Sequence, residues 1–189
     1  MTTDFTGKTA LITGAGRGIG RAIALGLADG GAGVILLART PGQLDQTRAL
    51  LRERGVPAGR ISVLPADLAD EQDRSRAVAA ALAAGGVDIL VNNAATVEPL
   101  GPSIDIAAAD LRLAFEVNVV APAALTIAVL PGMLRAIFGR YLGPFHVREL
   151  RRSYSAFRNR GLRFPQPRRR PPRDPQFQIR PQDLSPAPC

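Results

Sequence analysis

The chain predicts a doubly wound α/β domain on a parallel sheet, truncated after a fourth strand and a long helix, with a largely disordered Arg/Pro-rich tail. Three observations lead there. Short runs of apolar and β-branched residues recur without polar alternation, as in strands buried on both faces of a helix-covered parallel sheet. Amphipathic helical patterns separate these runs. After residue 140 the periodicity stops and the composition changes abruptly.

The strand candidates are Thr9 to Thr13, Val34 to Ala38, Ile61 to Pro65 and Val87 to Val91. Helical stretches fall near Ile19 to Asp29, Pro41 to Arg54 and Glu71 to Ala84, and a longer one covers Ile106 to Arg135. Pro41 suits a first helical turn behind a Thr40 cap, and Asp70 is placed to cap the third helix. Pro122, which has no N–H to give, starts or kinks a turn inside the long helix. Strand and helix alternate four times, the pattern of right-handed βαβ crossovers. The division is therefore 1–140 for the folded portion and 141–189 for the tail. Within the tail the run from Pro165 to Arg173 cannot continue a helix or a central strand, so an extended or disordered state is expected.

A length of 189 residues with 46% hydrophobic content fits one globular domain. The first residues lack the basic-then-apolar pattern of a secretory leader. The most apolar segment, Val119 to Leu134, is too short to span a bilayer and contains Pro122 and Pro131, so no membrane helix is predicted. Cys189 is the sole cysteine and stands last, which excludes an internal disulfide and a cysteine metal cluster; a cytoplasmic setting is expected. The net charge of +8 belongs wholly to the tail. Residues 1–140 hold 13 basic and 13 acidic side chains, whereas 141–189 hold 11 arginines against 3 acids. That tail also carries nine of the 16 prolines.

Chemistry first appears in Thr13-Gly14-Ala15-Gly16-Arg17-Gly18-Ile19-Gly20, which follows the first strand and opens the first helix. Glycines at 14, 18 and 20 permit a tight turn and close backbone approach, and the helix start offers unpaired N–H groups to an anion. This is the layout of a dinucleotide phosphate cradle, with Ile19 where the plain fingerprint has its third glycine. Glycines also mark ordinary turns, so the loop needs further support.

That support comes from Asn92-Asn93-Ala94-Ala95 after the fourth strand. Together the two motifs resemble the short-chain dehydrogenase/reductase family, which carries Thr-Gly-x-x-x-Gly-x-Gly after its first strand and Asn-Asn-Ala-Gly after its fourth. The resemblance covers residues 5–140 and implies a Rossmann-like fold. It also implies an NADP(H)-dependent oxidoreductase that moves a hydride to or from a small carbonyl or alcohol substrate. Implied cofactor contacts are Gly14, Gly18, Ile19 and Gly20 in the first loop, Asp67 and Leu68 around the adenine, and Asn93 and Ala94 in the second motif. Asn118 matches the family's helix asparagine, which supports the water chain behind the catalytic residues. The choice of NADP(H) rests on charge: no acid stands at the end of the second strand to bond ribose hydroxyls, whereas Arg39 and Arg17 are placed for a 2′-phosphate. Homo-oligomers are common in the family, through the long helix among other elements.

The family pattern lapses after residue 140. A catalytic Ser and a Tyr-x-x-x-Lys pair are expected there, yet the sequence reads Tyr141-Leu142-Gly143-Pro144-Phe145-His146, and Lys8 is the sole lysine. Tyr154, with Arg158 in place of the lysine, is the nearest imitation; an arginine holds a tyrosinate by charge but does not pass a proton on. Activity is therefore expected to be impaired, and the fourth strand is expected to form an uncovered edge. A second reading is a non-catalytic nucleotide-binding protein whose basic tail engages nucleic acid or an acidic partner through phosphate contacts. No nucleic-acid recognition module is visible in that tail, which disfavours a nucleic-acid partner.

Arginine, proline, glycine and alanine share GC-rich codons, so the tail has the composition of a shifted reading frame in a GC-rich gene. On that hypothesis another frame beyond codon 140 encodes Tyr-x-x-x-Lys; its absence from both alternative frames of the gene rules the shift out.

Overall fold

The structure, a computed structural model, describes residues 4–135 and 140–142. His146, Tyr154 and the rest of the expected disordered tail from 143 to 189 lie outside the described residues, whereas Tyr141 and Leu142, expected in that tail, belong to a strand.

Five parallel strands form one sheet: β1 (Thr9–Thr13), β2 (Gly33–Ala38), β3 (Ile61–Pro65), β4 (Ile89–Val91) and β5 (Arg140–Leu142), in the order β3-β2-β1-β4-β5. Helices α1 (Gly18–Asp29), α2 (Pro41–Glu53) and α3 (Glu71–Ala83) make the crossovers. The strand alternation sorts the core into two layers. Leu11, Ile35, Leu37 and Leu90 face one side with Ala77 and Ala81 of α3. Ala10, Ile12, Val34, Leu36, Ile89 and Val91 face the other, with Ala24 and Ala28 of α1 and Leu44 and Leu51 of α2. Both faces are covered, which is why these strands read as unbroken apolar runs.

Several boundaries move by one or two residues, the long helix starting at Ala108 rather than Ile106, and two changes bear on the sheet. β4 begins at Ile89 rather than Val87, because the Asp88 carboxylate accepts the Thr9 N–H at 3.0 Å while the Asp88 N–H donates to Thr9 O at 2.9 Å. The sheet does not stop at β4 either: β5 pairs with it in parallel, Ile89 opposite Arg140 and Val91 opposite Leu142, so β4 is not an edge. Three residues in a polar-led segment carry too little pattern to be read as a strand.

The long helix has three parts, α4 (Ala108–Phe115), a π-helical turn (Glu116–Val120) and α5 (Ala121–Arg135). Pro122 has no N–H for Asn118 O four residues back, and the Ala121 N–H reaches Glu116 O five back, which opens the turn. The continuous stretch Ala108–Leu134 is long and apolar enough to cross a membrane by length and composition, which removes the length objection raised for 119–134. Its burial is that of a core helix on one side: Ala121, Leu125, Val129 and Met133 pack into the sheet layer with Leu11 and Leu90. Phe115, Val119, Val120 and Ile127 are exposed.

This packing predicts an asymmetry. Leu125→Ala, at 0% exposure, is expected to cost about 3 kcal/mol of unfolding free energy. Ile127→Ala, at 72% exposure, should stay within about 0.5 kcal/mol. Urea unfolding of the two variants measures both; equal losses would mean the helix does not pack through this stripe.

Candidate functional site

A groove of about 450 Å³ opens at the carboxyl ends of the strands, lined by the loops that follow both β1 and β4, where the strand order reverses. Gly14, Arg17, Gly18, Ile19, Arg39, Asp67, Leu68, Asn93 and Ala94 all line it, which brings nine of the ten expected cofactor contacts to one place. Gly20 lies behind them.

The glycines do different work. Gly14 and Gly18 take φ of 67° and 55°, a region that side chains with a Cβ avoid. Gly20 has ordinary backbone angles, but a Cβ there would meet Gly14 O at 2.3 Å and Asn93 Nδ2 at 2.5 Å. Its role is to let α1 close against both loops.

Those loops are joined through Thr13, whose side chain is buried at the end of β1. Its hydroxyl donates to Val91 O at 3.2 Å and accepts the Asn93 and Ala94 N–H groups, each at 2.9 Å. Asn93 Nδ2 donates to Thr13 O at 3.0 Å. Asn118 extends the scaffold: its Oδ1 accepts Thr96 N–H at 2.9 Å and its Nδ2 donates to Thr96 O at 2.8 Å. Among the described residues Asn118 therefore fixes the backbone of the loop after β4 and does not itself line the groove. Tyr154, the other expected catalytic residue, is not among the described residues.

The electrostatics of the helix starts is uneven. α3 is capped by Asp70, whose Oδ1 accepts Asp73 N–H at 2.8 Å, and its first turn carries Glu71 and Asp73. The Asp67 N–H donated to Asp73, together with the hydrogen bond and charge of Arg76, holds the Asp73 carboxyl below the usual carboxylate range. By contrast α1 and α2 begin at the groove with no side-chain cap and no acid in the first turn; Thr40 occupies the cap position of α2 without making the bond. Their N–H groups and positive dipole ends remain available to an anion.

Arg17 and Arg39 stand at those starts, and their guanidinium groups make no hydrogen bond or ion pair with described residues. Other arginines are committed: Arg54 pairs with Asp29, Arg60 donates to Ala32 O, and buried Arg74 bridges Leu68 O and Glu116. Asp67 keeps one oxygen in a turn, accepting Ala69 N–H at 2.9 Å, and still lines the groove.

Several lining residues escaped the sequence reading. Gly16 packs so closely that a Cβ would meet Gln43 Cβ at 2.9 Å, and Thr40, Gln43, Thr96, Leu113 and Val117 also face the groove. Leu113 and Val117 lie four apart and end next to Asn118, a spacing that signals a shared helix face.

Gly20→Ala is expected to lower unfolding free energy by about 2 kcal/mol or more through that backbone clash. Gly26→Ala, in the same helix with open space around it, should raise it by up to about 1 kcal/mol. Thermal or urea unfolding separates the two, and a neutral Gly20→Ala would refute the close approach.

Residues 8–142 match the family described as short chain dehydrogenase. An uncharacterised oxidoreductase of Mycobacterium tuberculosis is 39% identical over 128 residues, 67% of this chain and 47% of that protein. The crystal structure of L-sorbose reductase from Gluconobacter frateurii, complexed with NADPH and L-sorbose, superposes with a TM-score of 0.69 at 34% identity, covering 75% of this chain and 53% of that one. A 3-oxoacyl (acyl-carrier-protein) reductase from Agrobacterium tumefaciens with NADP bound gives a TM-score of 0.68 at 32% identity, covering 74% and 53%. The chain thus spans about half the length of the relatives it matches. With the match running from Lys8 to Leu142, across the sheet and both motif loops, this chain belongs to the short-chain dehydrogenase family.

Proposed function

We propose that this chain is the nucleotide-binding portion of an NADP(H)-dependent short-chain oxidoreductase acting on a small carbonyl or alcohol. The observation that carries the reading is the pair Arg17 and Arg39, unpartnered among described residues and set at two uncapped helix starts on one groove. That environment suits a group with several negative charges: the pyrophosphate at the glycine loop and the 2′-phosphate between the arginines. Asp67 and Leu68 fit the adenine edge and face, with Leu113 and Val117 closing the apolar side. The sorbose reductase complex with NADPH supports the same assignment.

The bound nicotinamide would supply the hydride. The chain's own contribution is to hold the nucleotide and to keep the loop after β4 in place through Thr13, Asn93 and Asn118. Proton transfer is a different matter: the sequence contains no Tyr-x-x-x-Lys, and Lys8 lies at the opposite end of β1 beside Asp88, 3.7 Å from its carboxylate. A placed acid that protonates the ketone oxygen as the hydride arrives accelerates reduction by about 10²–10⁴-fold, so this polypeptide is read as a binder with impaired turnover. The frameshift hypothesis for 141–189 gives that impairment its cause.

Binding to the full chain tests the reading. NADPH is expected to bind about tenfold or more tightly than NADH, and Arg39→Asp should erase that preference, a change of about 1.4 kcal/mol or more. Equal affinities in the unaltered chain would refute the NADP(H) assignment. In the same preparation, NADPH consumption with a panel of ketones should not exceed the enzyme-free rate; robust reduction would overturn the impaired state.

A further inference from the structure

The glycine loop is gripped from behind by contacts that the cradle does not use. Thr47 of α2 is fully buried. Its hydroxyl oxygen lies 3.0 Å from Ala15 O, 3.3 Å from Gly16 O and 3.1 Å from Gln43 O. With one proton to give, the hydroxyl shares it among these carbonyls, and its lone pairs accept Arg21 Nε–H at 3.1 Å. Arg21 Nε is also 3.1 Å from Gly16 O, and Nη2 donates to that same oxygen. A single loop carbonyl is therefore held by side chains from α1 and α2 at once.

The consequence passes through the peptide plane. In a trans peptide the carbonyl of Gly16 and the N–H of Arg17 point in opposite directions. Fixing Gly16 O against α2 therefore fixes the plane from which Arg17 departs toward the groove. Arg17 and Arg39 are like charges lining that groove, and they repel when brought to one anion. Their approach has to be imposed by the backbone. Arg21 adds a third cation whose described partners are a carbonyl, a hydroxyl and the Gln46 amide, so no described acid neutralises it.

We infer that Arg21 and Thr47 are positioning residues that set selectivity for a 2′-phosphorylated nucleotide, by locking the Gly16–Arg17 peptide to the start of α2. The inference rests on the NADP(H) reading above. A general structural role would weaken both nucleotides alike. A role in placing Arg17 weakens the phosphorylated one alone.

The test compares dissociation constants of NADPH and NADH for the full chain, its Thr47→Val, Thr47→Ser and Arg21→Gln variants, with thermal unfolding recorded for each. Thr47→Val is expected to cut the NADPH preference by about fivefold while NADH affinity stays within about twofold. Thr47→Ser, which keeps the hydroxyl, should retain the preference. Arg21→Gln should shift it in the same direction, and decides the matter if Thr47→Val does not fold. An unchanged preference, or an equal loss for both nucleotides, overturns the inference. An unaltered chain that does not prefer NADPH overturns the underlying reading instead, so the two failures are distinguishable.

Discussion

The hydroxyl of Thr13 is the constraint on which the site depends. It stands where two strands that are neighbours in space, but distant in sequence, release their loops in different directions. Its single proton and its lone pairs are all engaged, toward Val91 O on one side and the Asn93 and Ala94 amides on the other. Buried amides without partners are costly, so this one oxygen makes the sharp departure of the loop after β4 affordable. Asn93 then returns the bond to Thr13 O, and Gly20 closes against the Asn93 amide and Gly14. The floor of the groove follows from these contacts.

Charge is distributed over the same sheet edge with comparable economy. Three helices begin there, and all carry the same terminal partial charge. One is neutralised internally by Asp70 and two first-turn acids, and is further tied down where Arg74 meets Leu68 O and Glu116. The other two keep their field and add arginines to it. The difference lies in a few side chains at the cap and first turn, and it separates a helix that serves the scaffold from two that serve the groove.

Much of this was legible in the residues. Glycine spacing announced the first loop because positive φ and close packing leave few alternatives at Gly14, Gly18 and Gly20. Unbroken apolar runs announced the strands because both faces of the sheet are covered. Asp70 declared its cap by position alone. What stayed hidden depends on partners distant in sequence. Thr47 looks like any polar residue on a helix until Ala15 and Gly16 arrive above it, and Arg21 looks like a solvated charge until its fork finds a carbonyl. β5 was invisible because register with β4, rather than any pattern of its own, makes it a strand. Asn118 was picked out by resemblance, but its attachment to Thr96 emerges only when helix and loop are seen together.

The π-helical turn at Glu116–Val120 also acts as a phase corrector. Leu113, Val117, Ala121, Leu125, Val129 and Met133 form one row spaced by four. In a uniform α-helix such a row winds around the axis by about 40° per step, since each turn takes about 3.6 residues. The wider turn rotates less per residue and takes back part of that drift. One helix thereby presents Leu113 and Val117 to the groove and, from Ala121 onward, its next four members to the core. Pro122 thus synchronises the two halves of the helix, so that a residue removed between Phe115 and Ala121 would turn the half that lines the groove away from the half that anchors it.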